Sequence, residues 1–420
     1  MRLRPLVLLA AIPLAVLLAG PPVVLAQPAP ATEFYTPPGP LPDGQPGDLI
    51  RTEPLTPILP LPARATRIMY RSTDTHGAAV AVTGTVLDPA APWTGPGPRP
   101  IVGFTVGTHG QGDQCAPSRL LGELVHYTPP LDVMAEYEYA FLTLLLAQGI
   151  AVAVTDYQGL GTPGVHTYLN PIAEAHADID AVRAARRLPG TGIPADAPVA
   201  FWGYSQGGNA AGAAAEHVAG YAPELPVRGS YVGAPPADLL VQLPYFEHNI
   251  FKALTGQVLN GLRAVFPDTG PAIDAIVNDN GRAMLAAVAD ECIPELAPRY
   301  GLHPTNGFTV SGRPLGDAAV ADPVISAALA QLRLGTLTPN APVLVTTGSG
   351  DDIVEPDQVR RLAADWCAHG ATVQLAESPF PTTLPGTGTG HIANAFILNL
   401  GSAVQWLRDR FAAIPAPSTC

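Results

Sequence analysis

Positive charge is scarce in this 420-residue sequence. Lysine and arginine together number 22 against 35 aspartates and glutamates, which gives a formal net charge of −13 at pH 7. Surfaces that bind nucleic acid need clusters of basic side chains. The charge balance therefore argues against nucleic acid as a partner.

Long apolar runs are missing after the N-terminal region, because no later segment has about 18 uninterrupted apolar residues. The N-terminus itself combines Arg2 and Arg4 with an apolar stretch over 6–18 and small residues before a cleavage point. This arrangement predicts a signal peptide over 1–26 and a secreted mature chain. An N-terminal membrane anchor is the alternative, which Pro13 disfavours.

Closely spaced cysteines are also missing. The sequence has no CxxC or similar ligand spacing, so we expect no metal site. An even number of cysteines in an exported chain favours two disulfides, and spacing alone leaves three pairings open. The four residues are Cys115, Cys292, Cys367 and Cys420.

Short apolar runs alternate with helical patterns through most of the chain. Runs that are apolar on both faces suit buried parallel strands, and the patterns between them suit crossover helices. The alternation predicts a doubly wound, mostly parallel α/β sheet, led by an antiparallel hairpin over 65–87. The predicted strands are 100–105, 149–156, 199–202, 227–233, 342–348 and 371–376, and the helices between them include 137–148, 172–187 and 209–221.

More than a hundred residues separate the predicted strands at 227–233 and 342–348. A structureless loop of that length is implausible, and the interval contains helical patterns. We predict an inserted helical cap, or lid, with a separate second domain as the alternative. The helical patterns are 246–265, 273–288 and 324–332. The predicted organisation of the whole chain is a signal peptide (1–26), a proline-rich arm (27–64), the first part of the core (65–236), the cap (237–338) and the second part of the core (339–420).

A nucleophile signature lies between a predicted strand and a predicted helix. Residues 203–207 have the sequence Gly-Tyr-Ser-Gln-Gly, which fits G-x-S-x-G, directly after the strand at 199–202. Such a turn holds the serine in a strained conformation that lifts its Oγ above the sheet. A packing turn of small residues is the alternative. We predict that Ser205 is the nucleophile of a serine hydrolase.

A serine nucleophile needs a histidine base and an orienting carboxylate, which follow it in the order acid, then histidine, in this kind of fold. Asp351 is the predicted acid after the strand at 342–348, and the adjacent Asp352 is the alternative. Two histidines come later in the chain. His369 has the position of a helix C-cap, whereas His391 follows a Gly-rich loop after the last strand. His391 is therefore the predicted base.

The tetrahedral intermediate of acyl transfer needs backbone N–H donors. Gln206, directly after the nucleophile, should supply one. The other should come from the loop at 107–113, with Gly110 as the preferred donor and its neighbours as alternatives. His109 in the same loop precedes Ser205 in the chain, so we expect it to shape the loop.

Several motifs together resemble the secretory lipases related to fungal lipase A, a family with many actinobacterial members. The resemblance covers most of the mature chain and is more specific than the nucleophile turn alone. Two departures occur: Glu355 is inserted where the family pattern runs Ile-Val-Pro, and the loop at 107–113 is richer in glycine than in fungal members. The motifs are GDQCAPS (112–118), DYQGLGT (156–162), DAVRAAR (180–186), GYSQGG (203–208) and DDIV (351–354).

The resemblance implies an α/β-hydrolase core with a helical lid and a catalytic triad of Ser205, Asp351 and His391. It also implies hydrolysis of triacylglycerols and simpler esters without a cofactor. The partner would then be an acylglycerol or another ester, met at a lipid–water interface through the cap. The disulfides that it implies are Cys115–Cys292 and Cys367–Cys420.

Acyl-transfer chemistry does not specify the leaving group, so other activities stay open. A non-lipid esterase, an acyltransferase and a peptidase use the same triad. A catalytically dead binding module is an alternative of another class. The apolar stretches 250–259 and 284–288 of the predicted cap would either line an acyl tunnel or pack on the core.

Overall fold

Nine strands pair into one sheet within residues 33–420, the part of the chain that this computed structural model describes. Of residues 397–400 it describes the backbone only, and the predicted signal peptide over 1–26 lies outside the described residues. In chain order the sheet strands are β1 (Leu49–Leu55), β2 (Ala63–Thr73), β3 (Ala79–Pro89), β4 (Ile101–Thr105), β7 (Ala151–Thr155), β8 (Val199–Tyr204), β9 (Val227–Gly233), β10 (Val343–Gly348) and β11 (Val373–Ser378), and a separate hairpin contains β5 (Val125–Thr128) and β6 (Asp132–Ala135).

The spatial order of the sheet is β1-β2-β3-β7-β4-β8-β9-β10-β11. Strands β1 to β3 form an antiparallel meander, and β3 joins β7 in antiparallel register. From β7 to β11 every neighbouring pair is parallel. Parallel neighbours need crossover connections, which the helical patterns supply. The mostly parallel α/β sheet and its leading hairpin are confirmed.

Helices cover both faces of this sheet. Along β8, Val199 and Phe201 belong to one buried cluster, while Ala200 and Trp202 belong to another. Alternate side chains of a strand point to opposite faces, so each face has its own core. The helices of the described residues are α1 (Pro117–Glu123), α2 (Tyr139–Ala147), α3 (Pro171–Arg187), α4 (Gln206–Tyr221), α5 (Leu239–Phe246), α6 (Leu254–Val265), α7 (Thr269–Ile276), α8 (Asp279–Val288), α9 (Ile293–Tyr300), α10 (Leu315–Ala321), α11 (Pro323–Gln331), α12 (Pro356–Ala368) and α13 (Thr389–Phe411).

The interval between β9 and β10, residues 234–342, contains the helices α5 to α11 and is called the insert below. Its buried side chains Leu243, Leu259 and Met284 belong to the same cluster as the side chains of α3 and α4. The insert therefore shares a continuous buried cluster with one face of the sheet. A cap domain bounded at 237–338 stays a prediction.

Two long helices predicted in the insert are each divided in the structure. The pattern at 246–265 spans the end of α5 and all of α6, and the side chain of Asn249 accepts from Phe251 N–H at 2.8 Å in the break. The pattern at 273–288 is divided between α7 and α8, where Asn278 caps α8 by accepting from Gly281 N–H. These side-chain hydrogen bonds compete with helix continuation.

The proline-rich arm is more structured than the sequence predicts. Residues 49–55 form β1, the outer strand of the sheet, and pair with β2. Pro54 is tolerated there because an edge strand has one side without a hydrogen-bonded neighbour. The sequence analysis also missed the hairpin β5–β6 and the short helix α1.

Both disulfides implied by the family resemblance are present. Cys115 is bonded to Cys292, which joins α1's N-terminal side to the insert, and Cys367 is bonded to Cys420. The C-terminal tail runs beside β11, where Thr419 N–H donates to the carbonyl oxygen of Val373 at 2.8 Å. The tail thereby covers part of an exposed sheet edge. No helix in the described range is long and apolar enough to cross a membrane.

Candidate active site

The turn between β8 and α4 carries Ser205. Its backbone has φ 62° and ψ −123°, a conformation that residues with a Cβ rarely adopt. A Cβ on Gly203 would meet the carbonyl oxygen of Gly207, and a Cβ on Gly207 would meet that of Thr105. The two glycines therefore allow the tight strand-to-helix turn. Ser205 lies at the C-terminal end of a central parallel strand, where ligands bind in such sheets.

Asp351 and His391 meet at the same rim. Asp351 follows β10, and its Oδ2 lies 2.8 Å from Nδ1 of His391, with both side chains almost fully buried. Its Oδ1 accepts from the N–H groups of Ile353 and Val354, which fixes the carboxylate. A carboxylate accepts only, so Nδ1 carries the proton and Nε2 is left as an acceptor. His391 lies in the first turn of α13, directly after the Gly-rich loop.

The neighbouring Asp352 has a different environment. Its two oxygens accept from the backbone N–H groups at the start of α13, at 2.9–3.3 Å. These groups would otherwise lack partners inside the helix. Asp352 thus holds the segment that carries the histidine, while Asp351 contacts the imidazole. The four donors are Thr387, Gly388, Gly390 and His391.

The other two histidines considered from the sequence, His369 and His109, have structural roles. His369 is the C-cap residue of α12. His109 is buried, with Nδ1 2.8 Å from the carbonyl oxygen of Gly107 and Nε2 3.6 Å from Glu136. Burial lowers the pKa of His109, but Glu136, the Gly107 carbonyl and Glu138 together outweigh burial, so the pKa is raised.

Ser205 and His391 line one cavity of about 280 Å³. Its wall is mainly apolar, and the insert contributes Phe246, Phe251 and Leu254. Apolar cavities with a few convergent polar groups are typical of small-molecule sites. The helix α13 contributes further apolar side chains beside the histidine, among them Ile392 and Phe396.

The loop predicted to supply an oxyanion donor borders this cavity through Gly107 and Thr108. Gly110, the preferred donor in the sequence analysis, forms an isolated bridge with Cys292 instead. A Cβ on Gly110 would lie 2.6 Å from the Cα of Cys292 and 3.1 Å from Sγ of Cys115. Gly110 therefore provides close packing against the disulfide, and we replace it by Thr108 in the proposal below.

Gln206 follows the nucleophile at the first position of α4, where backbone N–H groups have no partner within the helix. Its side-chain nitrogen donates to Glu174 Oε1 at 2.7 Å and to His166 Nε2 at 2.9 Å. His166 is neutral in this arrangement, because burial lowers its pKa to about 4. Burial raises the pKa of Glu174 to about 8.

The sequence analysis missed four polar residues near the site: His166, Glu174, Tyr137 and Glu138. Charged residues make up only 14% of the chain, so acids within apolar segments are unusual. Glu174 and Asp178 lie one helical turn apart on the buried side of α3, and Glu136 and Glu138 flank Tyr137 just before the apolar helix α2. Acids in otherwise apolar segments could have indicated, from the sequence alone, buried carboxyl groups with a structural or functional role.

Comparisons with known proteins show the family of this chain. A family model described as secretory lipase matches residues 127–419. A probable inactive lipase of Mycobacterium tuberculosis is 28% identical over 388 residues, which cover 91% of this chain and 82% of that protein. A secreted triacylglycerol lipase of Malassezia furfur is 26% identical over 320 residues, covering 76% of this chain and 80% of that protein.

Solved structures show the same fold. Candida antarctica lipase A in its closed state matches with a TM-score of 0.76 at 22% identity, over 93% of this chain and 87% of that one. The rice cell-wall-degrading esterase LipA from Xanthomonas oryzae matches with a TM-score of 0.69 at 21% identity, over 87% and 98%. Both likenesses concern the α/β-hydrolase fold. Because the family model spans more than half of the sequence, this chain belongs to the secretory lipase family.

Proposed function

We propose that this protein is a secreted serine carboxylic-ester hydrolase that acts on triacylglycerols. The observation that carries the proposal is the single cavity lined by Ser205 and His391, with Asp351 hydrogen-bonded behind the histidine. These are the nucleophile, base and orienting acid that acyl transfer requires. The apolar wall of the cavity favours an acyl chain as the group that binds there.

The proposed reaction has two halves. In the first, Ser205 Oγ attacks the ester carbonyl carbon and gives its proton to His391 Nε2, while the Asp351 carboxylate stabilises the resulting imidazolium. The tetrahedral intermediate then expels the alcohol, which takes that proton, and leaves an acyl-serine. In the second half, water attacks the acyl-serine by the same route. The fatty acid is released and Ser205 regains its proton.

The negative oxygen of the intermediate needs two donors. We assign the N–H groups of Gln206 and Thr108 to this task. Gln206 follows the nucleophile directly, and Thr108 lines the cavity. Among the described residues, the Thr108 N–H donates to no protein group, so it is available to a ligand. Each such donor contributes roughly 3 to 4 kcal/mol to transition-state stabilisation.

Labelling with a fluorophosphonate probe tests the proposal directly, because only an activated serine reacts. The wild-type protein should be labelled, and Ser205→Ala should abolish both labelling and ester hydrolysis with little change in Tm. Rates on p-nitrophenyl esters from acetate to palmitate, and on emulsified triacylglycerol, then define the acyl chain. Turnover retained in Ser205→Ala would refute the assignment.

One relative at 28% identity is named a probable inactive lipase, which favours a catalytically dead protein as the second candidate. In this chain all three proposed triad residues are present, and Asp351 and His391 are in hydrogen-bonding contact. A dead protein would resist the probe at every concentration. Labelling of Ser205 at a stoichiometry near one therefore separates the two candidates.

A further inference from the structure

Hydrogen bonds with side chains hold the peptide groups at Gly107 and Thr108. The N–H of Gly107 donates to Glu138 Oε1 at 2.7 Å, and the carbonyl oxygen of Thr108 accepts from the hydroxyl of Tyr137 at 2.9 Å. The carbonyl oxygen of Gly107 lies 2.8 Å from Nδ1 of His109. With these three groups engaged, the Thr108 N–H is the backbone donor left for a ligand.

Glu138 is an unusual residue at this position. It precedes α2 as its N-cap residue, is only 3% exposed, and lines the same cavity as Ser205. A buried carboxylate is costly unless a nearby group compensates for the lost water. The triad chemistry does not use Glu138, whose recorded donor is a backbone N–H of the oxyanion loop.

We propose that Glu138 is a positioning residue: by accepting the Gly107 N–H, in the peptide just before the Gly107–Thr108 peptide, it fixes the loop so that the Thr108 N–H points at the developing oxyanion. This inference rests on the proposed function, because it concerns the same site. The loop lies outside any helix or strand, so its backbone direction depends on such contacts. A donor displaced by about 1 Å loses much of its value in the transition state.

The charge state of Glu138 links this contact to pH. Its ionisable neighbours are Glu136 and His109, together with the phenols of Tyr137, Tyr157 and Tyr231. Burial is the main cause that raises the pKa of Glu138 to about 7, the Gly107 N–H and His109 oppose it, and Glu136 adds to it. The carboxylate, which forms above pH 7, is a stronger acceptor for Gly107 than the neutral acid.

Two substitutions at this position separate hydrogen bonding from charge. Glu138→Met keeps an unbranched side chain but removes the acceptor, and Glu138→Gln keeps an acceptor oxygen without an ionisation. A matched control is Glu216→Met. Glu216 is a buried glutamate that also accepts a backbone N–H, from Gly335 at 2.7 Å, but it lies outside the cavity lining.

We expect Glu138→Met to lower kcat on a soluble ester about 10- to 100-fold with KM within about twofold, and to slow fluorophosphonate labelling to a similar degree. Glu138→Gln should restore kcat to within several-fold of wild type. Glu216→Met should lower Tm and leave kcat nearly unchanged. An unchanged kcat in folded Glu138→Met, an effect on KM alone, or an equal loss in Glu216→Met would overturn the proposal.

If Glu138→Met does not fold, the proposal is tested by the pH dependence of a ratio: wild-type kcat divided by Glu138→Gln kcat, measured between pH 6 and 8. Ionisations common to both proteins cancel in this ratio, so it should rise several-fold through pH 7, and a flat ratio would overturn the proposal.

Failure of the proposed function has a different signature. The wild-type protein would then resist the fluorophosphonate, which rejects both claims, whereas a labelled wild type with unaffected variants rejects only the assignment to Glu138.

Discussion

At the scale of single residues, two adjacent aspartates have separate tasks in the structure. Asp351 contacts the imidazole of His391, and Asp352 holds four backbone N–H groups at the start of α13. Only Asp351 lies where it can stabilise an imidazolium. Substitutions that remove charge but keep shape should therefore have unequal effects on turnover and on stability.

We expect Asp351→Asn to lower kcat on the order of 10³- to 10⁴-fold with little change in Tm, because an amide cannot stabilise the charged histidine. Asp352→Asn keeps one acceptor oxygen and loses the other, so it should cost about 1 to 3 kcal/mol of unfolding free energy and less than about tenfold in kcat. Steady-state kinetics and thermal unfolding of both variants provide the check. The reverse ranking of kcat would transfer the acid role to Asp352.

The base can be tested in the same way. His391→Ala should abolish turnover as completely as Ser205→Ala, because the members of a triad act as a unit. His369→Ala is the matched control, since His369 terminates α12 and is absent from the cavity lining. A larger loss of kcat in His369→Ala than in His391→Ala would show that the base is misassigned.

Sequence order was sufficient to predict the pairing of Asp351 with His391, because the fold constrains where each loop meets the rim. It was not sufficient for the oxyanion loop. The conformation of Gly107 and Gly110 depends on Glu138 and on Cys292, which come from other elements. Contacts of that kind have no periodicity or spacing in the sequence, so the sequence could not decide between Gly110 and its neighbours as the donor.

At the scale of elements, the prediction succeeded where a segment is buried on both faces. The limits of β9 agree with the prediction, and its last five residues, 229–233, are buried. The prediction failed where short polar contacts decide, as at Asn278, whose cap divides one apolar pattern into α7 and α8. It also failed for β1. The many prolines of this segment argued against a strand, but an edge strand pairs with only one neighbouring strand.

The disulfide between Cys115 and Cys292 connects the segment just after the loop at 107–113 to the insert. Both sulfurs are buried, and hydrogen bonds join the same two segments: Gln111 N–H donates to Glu291, and Ile293 N–H donates to His109. Ile293 also lines the cavity. The bridge should therefore affect catalysis as well as stability.

We expect the double variant Cys115→Ser/Cys292→Ser to lose roughly 2 to 4 kcal/mol of unfolding free energy and about tenfold in kcat, because the loop end is less restrained. The matched control is Cys367→Ser/Cys420→Ser, which frees the chain end from α12. It should lower Tm and leave kcat nearly unchanged. Equal kcat losses in the two double variants would contradict a specific coupling between the insert and the loop.

At the scale of the whole molecule, buried acids dominate the response to pH. Burial raises the pKa of Glu138 and Glu291 to about 7, of Glu174 to about 8 and of Asp180 to about 6. In the unfolded chain these groups titrate near pH 4. Between pH 4 and 8 these acids therefore hold more protons in the folded protein than in the unfolded chain, so their contribution to stability falls as pH rises through this range.

Two histidines act in the opposite direction. Burial lowers the pKa of His166 and His176 to about 4, below the value of about 6.5 in an unfolded chain. The unfolded chain therefore binds protons first as pH falls from 6.5 to 4, and the folded state loses stability over that range. Near pH 5 the four acids hold more extra protons in the folded state than the two histidines lack, so the acids outweigh the histidines. We expect Tm to fall as pH rises from 5 to 8, measured by calorimetry.

Glu174 should contribute strongly to the loss on the alkaline side. It is fully buried, and its Oε1 accepts from the Gln206 side chain and from Leu169 N–H, contacts that a glutamine oxygen can reproduce. Glu174→Gln removes the ionisation, so its unfolding free energy relative to wild type should rise with pH, by on the order of 2 to 4 kcal/mol between pH 5 and 8. Asp196→Asn, at an exposed carboxyl, should give a constant difference. If the Glu174→Gln and wild-type curves run parallel, Glu174 does not bind its proton more tightly in the folded state, and the alkaline loss of stability has another origin.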